Sequence, residues 1–484
     1  MNHDGDLREP TIGGQPMVTG AAPLTAPLAL VNEGLGNSSY LVDLGDGRAL
    51  AIDPERDPDP YLAAAESRGL TITLAAETHL HADFVSGSRE LAAHGAQVLA
   101  PAAGGTGFGH RGLHDGDELD LGGLRLRALA TPGHTPEHMA YLLLDGDRPA
   151  ALFSGGSLLV GAVARTDLIA PERAGELARA LWRSLHERIL TLPDDLPVYP
   201  THGAGSFCAA PASAERTTTI GAQRAANPLL AAPSEDEFVR LLLDGLGTYP
   251  PYFLRLREVN RRGPAVLGPP AGALPALTPG EVRRLAGAGA GLIDARPAAS
   301  FAAGHIPGAI SIPLRPAFAT WLGWLTDPGR PAVFVLEPGQ DRAGLIRQAR
   351  NIGYEHLAGE LAGGMAAWAA AGLPVRQISV VRASEVTGPV LDVRQAAEYS
   401  SGHLPDARHI ELGALTSAEP EPGPGPGPEP GPGARPVTLM CGAGDRAMTA
   451  ASLLARRGHP DLAVAVGGPG DWAAAHGQPL ETGP

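Results

Sequence analysis

Glu77-Thr78-His79-Leu80-His81-Ala82-Asp83-Phe84-Val85-Ser86-Gly87 sets two imidazoles and a carboxylate at alternate positions of one short run. The uncharged, β-prone segment Leu70-Thr71-Ile72-Thr73-Leu74 leads into it and the helix-like Ser88-Arg89-Glu90-Leu91 leaves it. The three side chains are therefore expected on a loop at the C-terminal end of a strand. Histidines two apart on a turn can converge on one cation, and the carboxylate can bind or orient a neighbour; these donors suit Zn(II) or Fe(II). Outward from this loop, residues 28–31, 39–42, 50–53, 97–100, 124–129, 139–144 and 197–200 read as strands, and 61–68 as a helix. The alternation predicts an α/β domain with helices covering sheets.

Two more histidines follow predicted strands. His134 sits in Thr131-Pro132-Gly133-His134-Thr135-Pro136-Glu137-His138, and His202 in Thr201-His202-Gly203-Ala204-Gly205. Any one histidine alone reads as a surface or packing residue. His79, His81, Asp83, His134 and His202 at equivalent strand ends read as a metal cleft.

Bulk properties narrow the function. The 484 residues suggest about three domains, and 44% hydrophobic content is ample for packed cores. With 37 Lys and Arg against 52 Asp and Glu, the formal charge is −15 and no basic run occurs, which argues against nucleic acid or an anionic membrane as partner. The acidic start Met1-Asn2-His3-Asp4-Gly5-Asp6 is not a secretory signal, and the uncharged stretch 149–164 is too short and glycine-rich to span a bilayer. Two cysteines, Cys208 and Cys441, are too few for a disulfide framework, so a cytoplasmic location is expected and each thiol is judged for reactivity. Nothing in the composition opposes a homo-oligomer.

The histidine set resembles the metallo-β-lactamase fold from about residue 28 to 202. The flanking words Asn37-Ser38-Ser39-Tyr40, Asp53-Pro54-Glu55-Arg56-Asp57, Arg165-Thr166-Asp167-Leu168, Thr201 to Cys208, Asn227-Pro228, Pro251-Tyr252-Phe253 and Asn260-Arg261-Arg262-Gly263-Pro264 resemble its persulfide dioxygenase branch and the rhodanese fusions of that branch. The resemblance implies an αββα sandwich with a helical extension over residues 23–264, after a disordered tail of residues 1–22. Two positions depart from the family pattern: Phe84 stands where members often have histidine, and Gly156 where they have a metal-binding aspartate. A dinuclear hydrolase centre would keep only Asp83 and His202 for its second ion. The expected site is mononuclear, with His79, His81 and His134 as ligands and Asp83 and His202 nearby. Fe(II) is preferred and Zn(II) is the alternative; a pocket without metal is the opposing reading. Arg165 resembles family positions near the substrate entrance, where it would meet an anionic sulfur compound, though an ordinary ion pair is the favoured reading. Cys208, six residues past His202, is either a sulfur-holding group or a packed thiol.

After a Pro/Gly-rich link (265–279) the sequence repeats itself. Leu292-Ile293-Asp294-Ala295-Arg296 and Gly304-His305-Ile306-Pro307 recur 98 residues later as Leu391-Asp392-Val393-Arg394 and Gly402-His403-Leu404-Pro405. Glu337-Pro338-Gly339-Gln340-Asp341-Arg342 recurs 104 residues later as Cys441-Gly442-Ala443-Gly444-Asp445-Arg446. A period near one hundred means two tandem domains, here 280–376 and 377–484, and the extra residues fall in a Pro/Gly/Glu tract at 420–434, expected to be extended and solvated. Both copies resemble rhodanese domains. Cys441 ends a predicted strand and opens a Gly-rich loop before a helix, where the amides of Gly442, Ala443, Gly444 and Asp445, with Arg446, are expected to form an anion cradle, lower the thiol pKa and hold a persulfide. The first copy, with Glu337 and Gln340 in that loop, is expected to be inactive and to pack between the other two domains.

The resulting expectation is a persulfide dioxygenase-like metal domain joined to a sulfurtransferase using Cys441. Glutathione persulfide or another low-molecular-weight persulfide, thiosulfate and sulfite are the implied small molecules. The alternatives are a sulfurtransferase with a silent metal domain, a glyoxalase II-like thioester hydrolase, and a sulfur carrier without turnover.

Overall fold

A computed structural model describes residues 25–209, 214–268, 273–416, 437–459 and 461–483. The expected tail 1–22 and tract 420–434 lie outside the described residues, as does part of the link (269–272).

Two six-stranded sheets open the chain. The first runs, in spatial order, Leu28–Asn32, Asn37–Asp43, Arg48–Ile52, Thr71–Ala76, Gln97–Pro101 and Arg111–Leu113; the second runs Thr218–Thr219, Pro197–Pro200, Arg148–Gly155, Met139–Asp145, Leu124–Ala130 and Glu118–Asp120. Because side chains alternate across a strand, one strand serves two layers. Tyr40 and Val42 point between the sheets, where they meet Tyr141, Leu143 and Phe153. Leu41 points outward to Tyr61 and Leu91 of the helices Asp59–Glu66 and Ser88–Ala93. Likewise Ala140, Leu142 and Leu144 face Ala178, Leu181 and Leu185 of helix Ala174–Glu187. Strands buried on both faces are nearly all apolar, as Met139-Ala140-Tyr141-Leu142-Leu143-Leu144 is. The result is the αββα sandwich, closed by helices Ile220–Ala226, Glu235–Asp244 and Tyr252–Arg262.

Two parallel five-stranded sheets follow with the same strand order: Ala276–Leu277, Leu357–Leu361, Ala332–Val335, Gly291–Asp294, Ile310–Ser311, and then Ser379–Arg382, Leu462–Val466, Val437–Met440, Val390–Asp392, Arg408–His409. The repeated Asp, Arg and His of the sequence are brackets of this fold. Arg296 and Arg394 each pair with the aspartate two residues back at 2.6 Å and donate to the carbonyl of Gly304 or Gly402 at 2.8 Å. His305 and His403 stack on Phe301 and Tyr399 and bond those residues' carbonyls.

The first copy contacts both neighbours. Val85 N–H donates to the Asn351 carbonyl, and Arg56 pairs with Glu355 at 2.9 Å. Ser311 N–H reaches Ser452 Oγ at 3.1 Å, and one apolar core runs from Phe84 and Tyr252 through Phe318 and Trp324 to Leu412 and Leu415. Among the described residues no helix is long and apolar enough to cross a membrane.

Candidate metal centre and sulfur-transfer loop

Three strands end at one rim of the sandwich, and each hands over a histidine: Thr71–Ala76 to His79, Leu124–Ala130 to His134, and Pro197–Pro200 to His202. All three rings are buried. Their ligand nitrogens lie within 4.8 Å of one another, and the Nε2 atoms of His79 and His202 are 3.4 Å apart.

The surrounding bonds decide which nitrogen carries the proton. Thr78 gives its hydroxyl proton to Asp53 Oδ2 (2.8 Å), so its oxygen accepts from His79 Nδ1 (2.8 Å). His134 Nδ1 donates to the Arg165 carbonyl at 2.7 Å. His202 Nδ1 faces two acceptors, Asn37 Oδ1 at 3.1 Å and Asp83 Oδ2 at 3.3 Å. In each ring Nε2 is left as the lone-pair nitrogen, the arrangement outer partners impose on metal-binding histidines. Burial and neighbouring imidazoles hold His79 well below the ordinary range and bring His134 down to about 3, so both are neutral, as a ligand must be.

The sequence had pointed to His79, His81 and His134; the structure groups His79 and His134 with His202, and places His81 in two neighbouring groups, with Asp83 and His202 and with Asp53 and Glu77. His81 Nε2 lies 3.0 Å from Glu77 Oε2 and 3.2 Å from Asp53 Oδ1. Burial opposes its charge, but these carboxylates overcome burial and raise its pKa to about 10. Its ring stacks at 4.3 Å on Phe84, the residue standing where relatives often have histidine. Asp83 remains beside the centre. Burial would raise its pKa, yet His202 and His81 hold it well below the carboxylate range, and both its oxygens are buried without an aligned hydrogen bond.

Gly156 adjoins the centre as expected. A Cβ there would stand 2.5 Å from His134 Cδ2, so the imidazole ring itself fills the volume a side chain would need. Asp53 was read in the sequence only as part of a flanking word, with no role at the site. It adopts φ +49° and accepts from the Thr78 amide and hydroxyl and from Thr201 Oγ1, tying the two Thr-His strand ends together. The recurrence of Thr-His at 78–79 and 201–202 was the available signal.

The donor set fits a divalent ion. Three imidazoles share one orientation logic, and two Nε2 atoms 3.4 Å apart suit bonds of about 2.1 Å to one tetrahedral centre. A cavity of about 20 Å³ lies beside His79 and His81, bounded by Ser86, Gly104 and Phe108. Arg165 is not free for substrate: it grips Asp167 at 2.7 and 2.8 Å, bonds the Phe207 and Gly247 carbonyls and lies over Tyr249. The Cys208 thiol lies against Asp83, and burial with that carboxylate pushes its pKa well above the thiol range.

In the second rhodanese copy Cys441 follows strand Val437–Met440, and its Sγ accepts from the Gly444 amide at 3.1 Å. Gly444 has φ +105°, a conformation glycine adopts without cost, and precedes helix Asp445–Arg456. Glu398 takes the Arg446 guanidinium with two bonds of 2.6 and 2.8 Å, and the Cys441 thiol also lies within reach of its charge. The first copy's loop is filled from within. Gln340 Oε1 accepts from Glu337 N–H at 2.7 Å, its amide donates to Ala295 O at 2.9 Å, and the Glu337 carboxylate binds Ser300.

Comparison with known proteins agrees with this geometry. The rhodanese-like domain family matches residues 278–371 and 380–475. Human persulfide dioxygenase ETHE1, mitochondrial, is 33% identical over 209 residues, 42% of this chain and 75% of that protein. The chain belongs to the persulfide dioxygenase family. It is an enzyme of sulfur metabolism in which a persulfide dioxygenase-like domain of metallo-β-lactamase fold is joined to rhodanese domains. A metallo-β-lactamase structure from Staphylococcus aureus superposes with TM-score 0.62 at 29% identity, covering 70% of this chain and 98% of the other. A hydroxyacylglutathione hydrolase of Polaromonas is 37% identical over 34% of this chain and 62% of its own length. A divalent metal is implied for this persulfide dioxygenase-family domain, and the buried His/Asp groups could hold it.

Proposed function

We propose that the metal domain is a persulfide dioxygenase whose ion is iron, held by His79, His134 and His202, and that the second rhodanese domain transfers sulfane sulfur on Cys441. The observation that supports the first half most directly is that Nδ1 of each of the three rings meets a hydrogen-bond acceptor, while the Nε2 atoms of His79 and His202 face each other at 3.4 Å. His79, His134 and His202 would hold the ion, which when bound would supply the O₂-dependent oxidation of the terminal sulfur of glutathione persulfide, or a similar small persulfide, to sulfite. The chain's own residues do the rest. Asp53 fixes two of the ligand-bearing strand ends, Asp83 holds His202 from behind, and Phe84 and the packed wall restrict water. Cys208, protonated against Asp83, is a wall group that a persulfide would pass.

At Cys441 the thiolate attacks the outer sulfur of thiosulfate. The S–S bond breaks, sulfite leaves with the bonding pair, and Cys441 persulfide remains; a thiol acceptor then takes the sulfur. The Gly444 amide steadies the sulfur anion in both forms.

Gly156 supports a second reading, a sulfurtransferase whose metal domain is silent. Phe84 and Gly156 count against the thioester hydrolase. Metal analysis of iron-replete protein, with oxygen uptake on glutathione persulfide, separates the two readings. About one iron per chain and uptake abolished by His134→Ala support the dioxygenase. No iron and no uptake, with transfer still lost in Cys441→Ser, leave the sulfurtransferase alone.

A further inference from the structure

Away from both sites, at the seam between the metal domain and the first rhodanese copy, one guanidinium is buried without enough partners. Arg56 has a 1% exposed side chain. Its Nη2 donates to Ala265 O (2.8 Å) and Glu355 Oε1 (2.9 Å). Its Nη1 and Nε make no aligned hydrogen bond; the nearest carboxylate to Nε, Glu90 Oε1, is 3.5 Å away and already accepts from Leu267 N–H at 2.8 Å. A buried cation with idle N–H groups costs several kcal/mol, and in a native fold such a group points to an ion or water.

These groups line a cavity of about 80 Å³. One water needs roughly 15 Å³ by this measure, so the space admits a small polyatomic ion. Arg347 and Arg350, from helix Arg342–Asn351 of the first copy, line the opposite side. Arg350 makes no side-chain hydrogen bond and no ion pair within 4 Å among the described residues, while Arg347 reaches Asp57 only at 3.8 Å. Asp57 lines the cavity too, and its Oδ2 is buried without a hydrogen bond. The walls therefore offer several cationic donors and one idle acceptor.

A fully deprotonated oxyanion meets the donors but repels Asp57. An oxyanion that keeps one O–H satisfies both: two oxygens accept from guanidinium groups in the bidentate manner, and the O–H donates to Asp57 Oδ2. Three arginines against Asp57, Glu90 and Glu355 leave no net positive charge, so a single negative charge is met better than two. We infer that the cavity walled by Arg56, Asp57, Arg347 and Arg350 binds a small protonated oxyanion, of the class that includes hydrogen sulfite and dihydrogen phosphate. The site clamps the loop that carries Asp53 and Arg56 to the helix whose last residue, Asn351, reaches Glu55.

Titration calorimetry on the full chain tests this with phosphate, sulfite under nitrogen and sulfate as separate probes near pH 6.5, at constant ionic strength. One site per chain is expected that prefers phosphate or sulfite over sulfate, survives Cys441→Ser, and weakens at least tenfold in Arg350→Ala. Asp57→Asn should narrow or reverse the preference against sulfate, because an amide can donate. If phosphate binds best the ligand is a phosphate-type anion; if sulfite does, it is the sulfur oxyanion. Binding that Arg350→Ala and Arg347→Ala both leave unchanged, or no binding at millimolar anion, overturns the site and leaves a hydrated cavity. Anomalous scattering from hydrogen selenite soaked near pH 6.5, absent between Arg56 and Arg350, would do the same.

Discussion

At the scale of single residues, the centre is set by groups that do not ligate. Asp53 is the clearest: one carboxylate accepts from Thr78 and Thr201 and so orients His79 and holds the backbone before His202. Outer partners of this kind are worth about 10–100-fold in metal affinity. Asp53→Asn should therefore weaken metal binding by about that factor, measured by competition with a chelator; unchanged affinity would show that the ring orientation is set elsewhere. Glu55 gives a pH dependence. Burial raises its pKa from 4.5 to about 7, against the opposing hydrogen bonds of Asn32 and Asn351. Its proton is bound more tightly folded than unfolded, so the contribution to stability is fully present below pH 4.5 and is lost as pH rises through about 7. Glu55→Gln should gain on the wild type by up to about 3 kcal/mol between pH 4.5 and pH 8, read from urea unfolding; a gap that does not change with pH would sink this account.

At the scale of elements, two loops of common ancestry differ in what fills them. In the first copy Gln340 occupies the turn that Gly444 leaves open in the second, bonding both Glu337 N–H and Ala295 O. Installing the nucleophile alone should not restore chemistry. In a Cys441→Ser background Glu337→Cys is expected to show below about 1% of normal thiosulfate–cyanide transfer, and Glu337→Cys with Gln340→Gly at least tenfold more than the single change. Equal activity of the two would mean that Gln340 does not block the loop. These loops also show what sequence could convey. The alternation of strands and helices, the tandem repeat, the Cys441 loop and the histidine-bearing strand ends were legible because each is a local pattern: alternation, a period near one hundred, a glycine-rich turn before a helix. Choices among partners were not. His81 turns to Glu77 and Asp53 only when strand ends 25 residues apart meet, and Arg446 is claimed by Glu398 from an earlier helix 48 residues back. Gly156 was legible as a lost ligand, but not that the His134 ring fills its place.

At the scale of the whole molecule, the first rhodanese copy acts as the joint. Trp324, 6% exposed, belongs to its helix Phe318–Leu325 yet meets Phe207 of the metal domain edge-on at 5.2 Å. The same indole lies so close to Gly413 of the second copy that a Cβ there would fall 2.2 Å from the ring. One side chain thus links all three domains, within an apolar cluster that draws residues from each of them and lies beside the metal domain's own sandwich cores. Interfaces of this apolar kind make domains unfold together, whereas polar seams let them part. Calorimetry of the full chain should accordingly show one dominant transition. Trp324→Ala removes the shared contact at a cost of about 3–5 kcal/mol and should lower the transition temperature and split it, with the second rhodanese domain separating from the rest. Thiosulfate transfer at Cys441, on the far domain, should survive at temperatures below the first of the split transitions. Three resolved transitions in the unaltered chain would mean that the domains touch without sharing stability; a single shifted transition in Trp324→Ala would mean that the coupling runs through other contacts, such as the Val85–Asn351 and Ser311–Ser452 bonds.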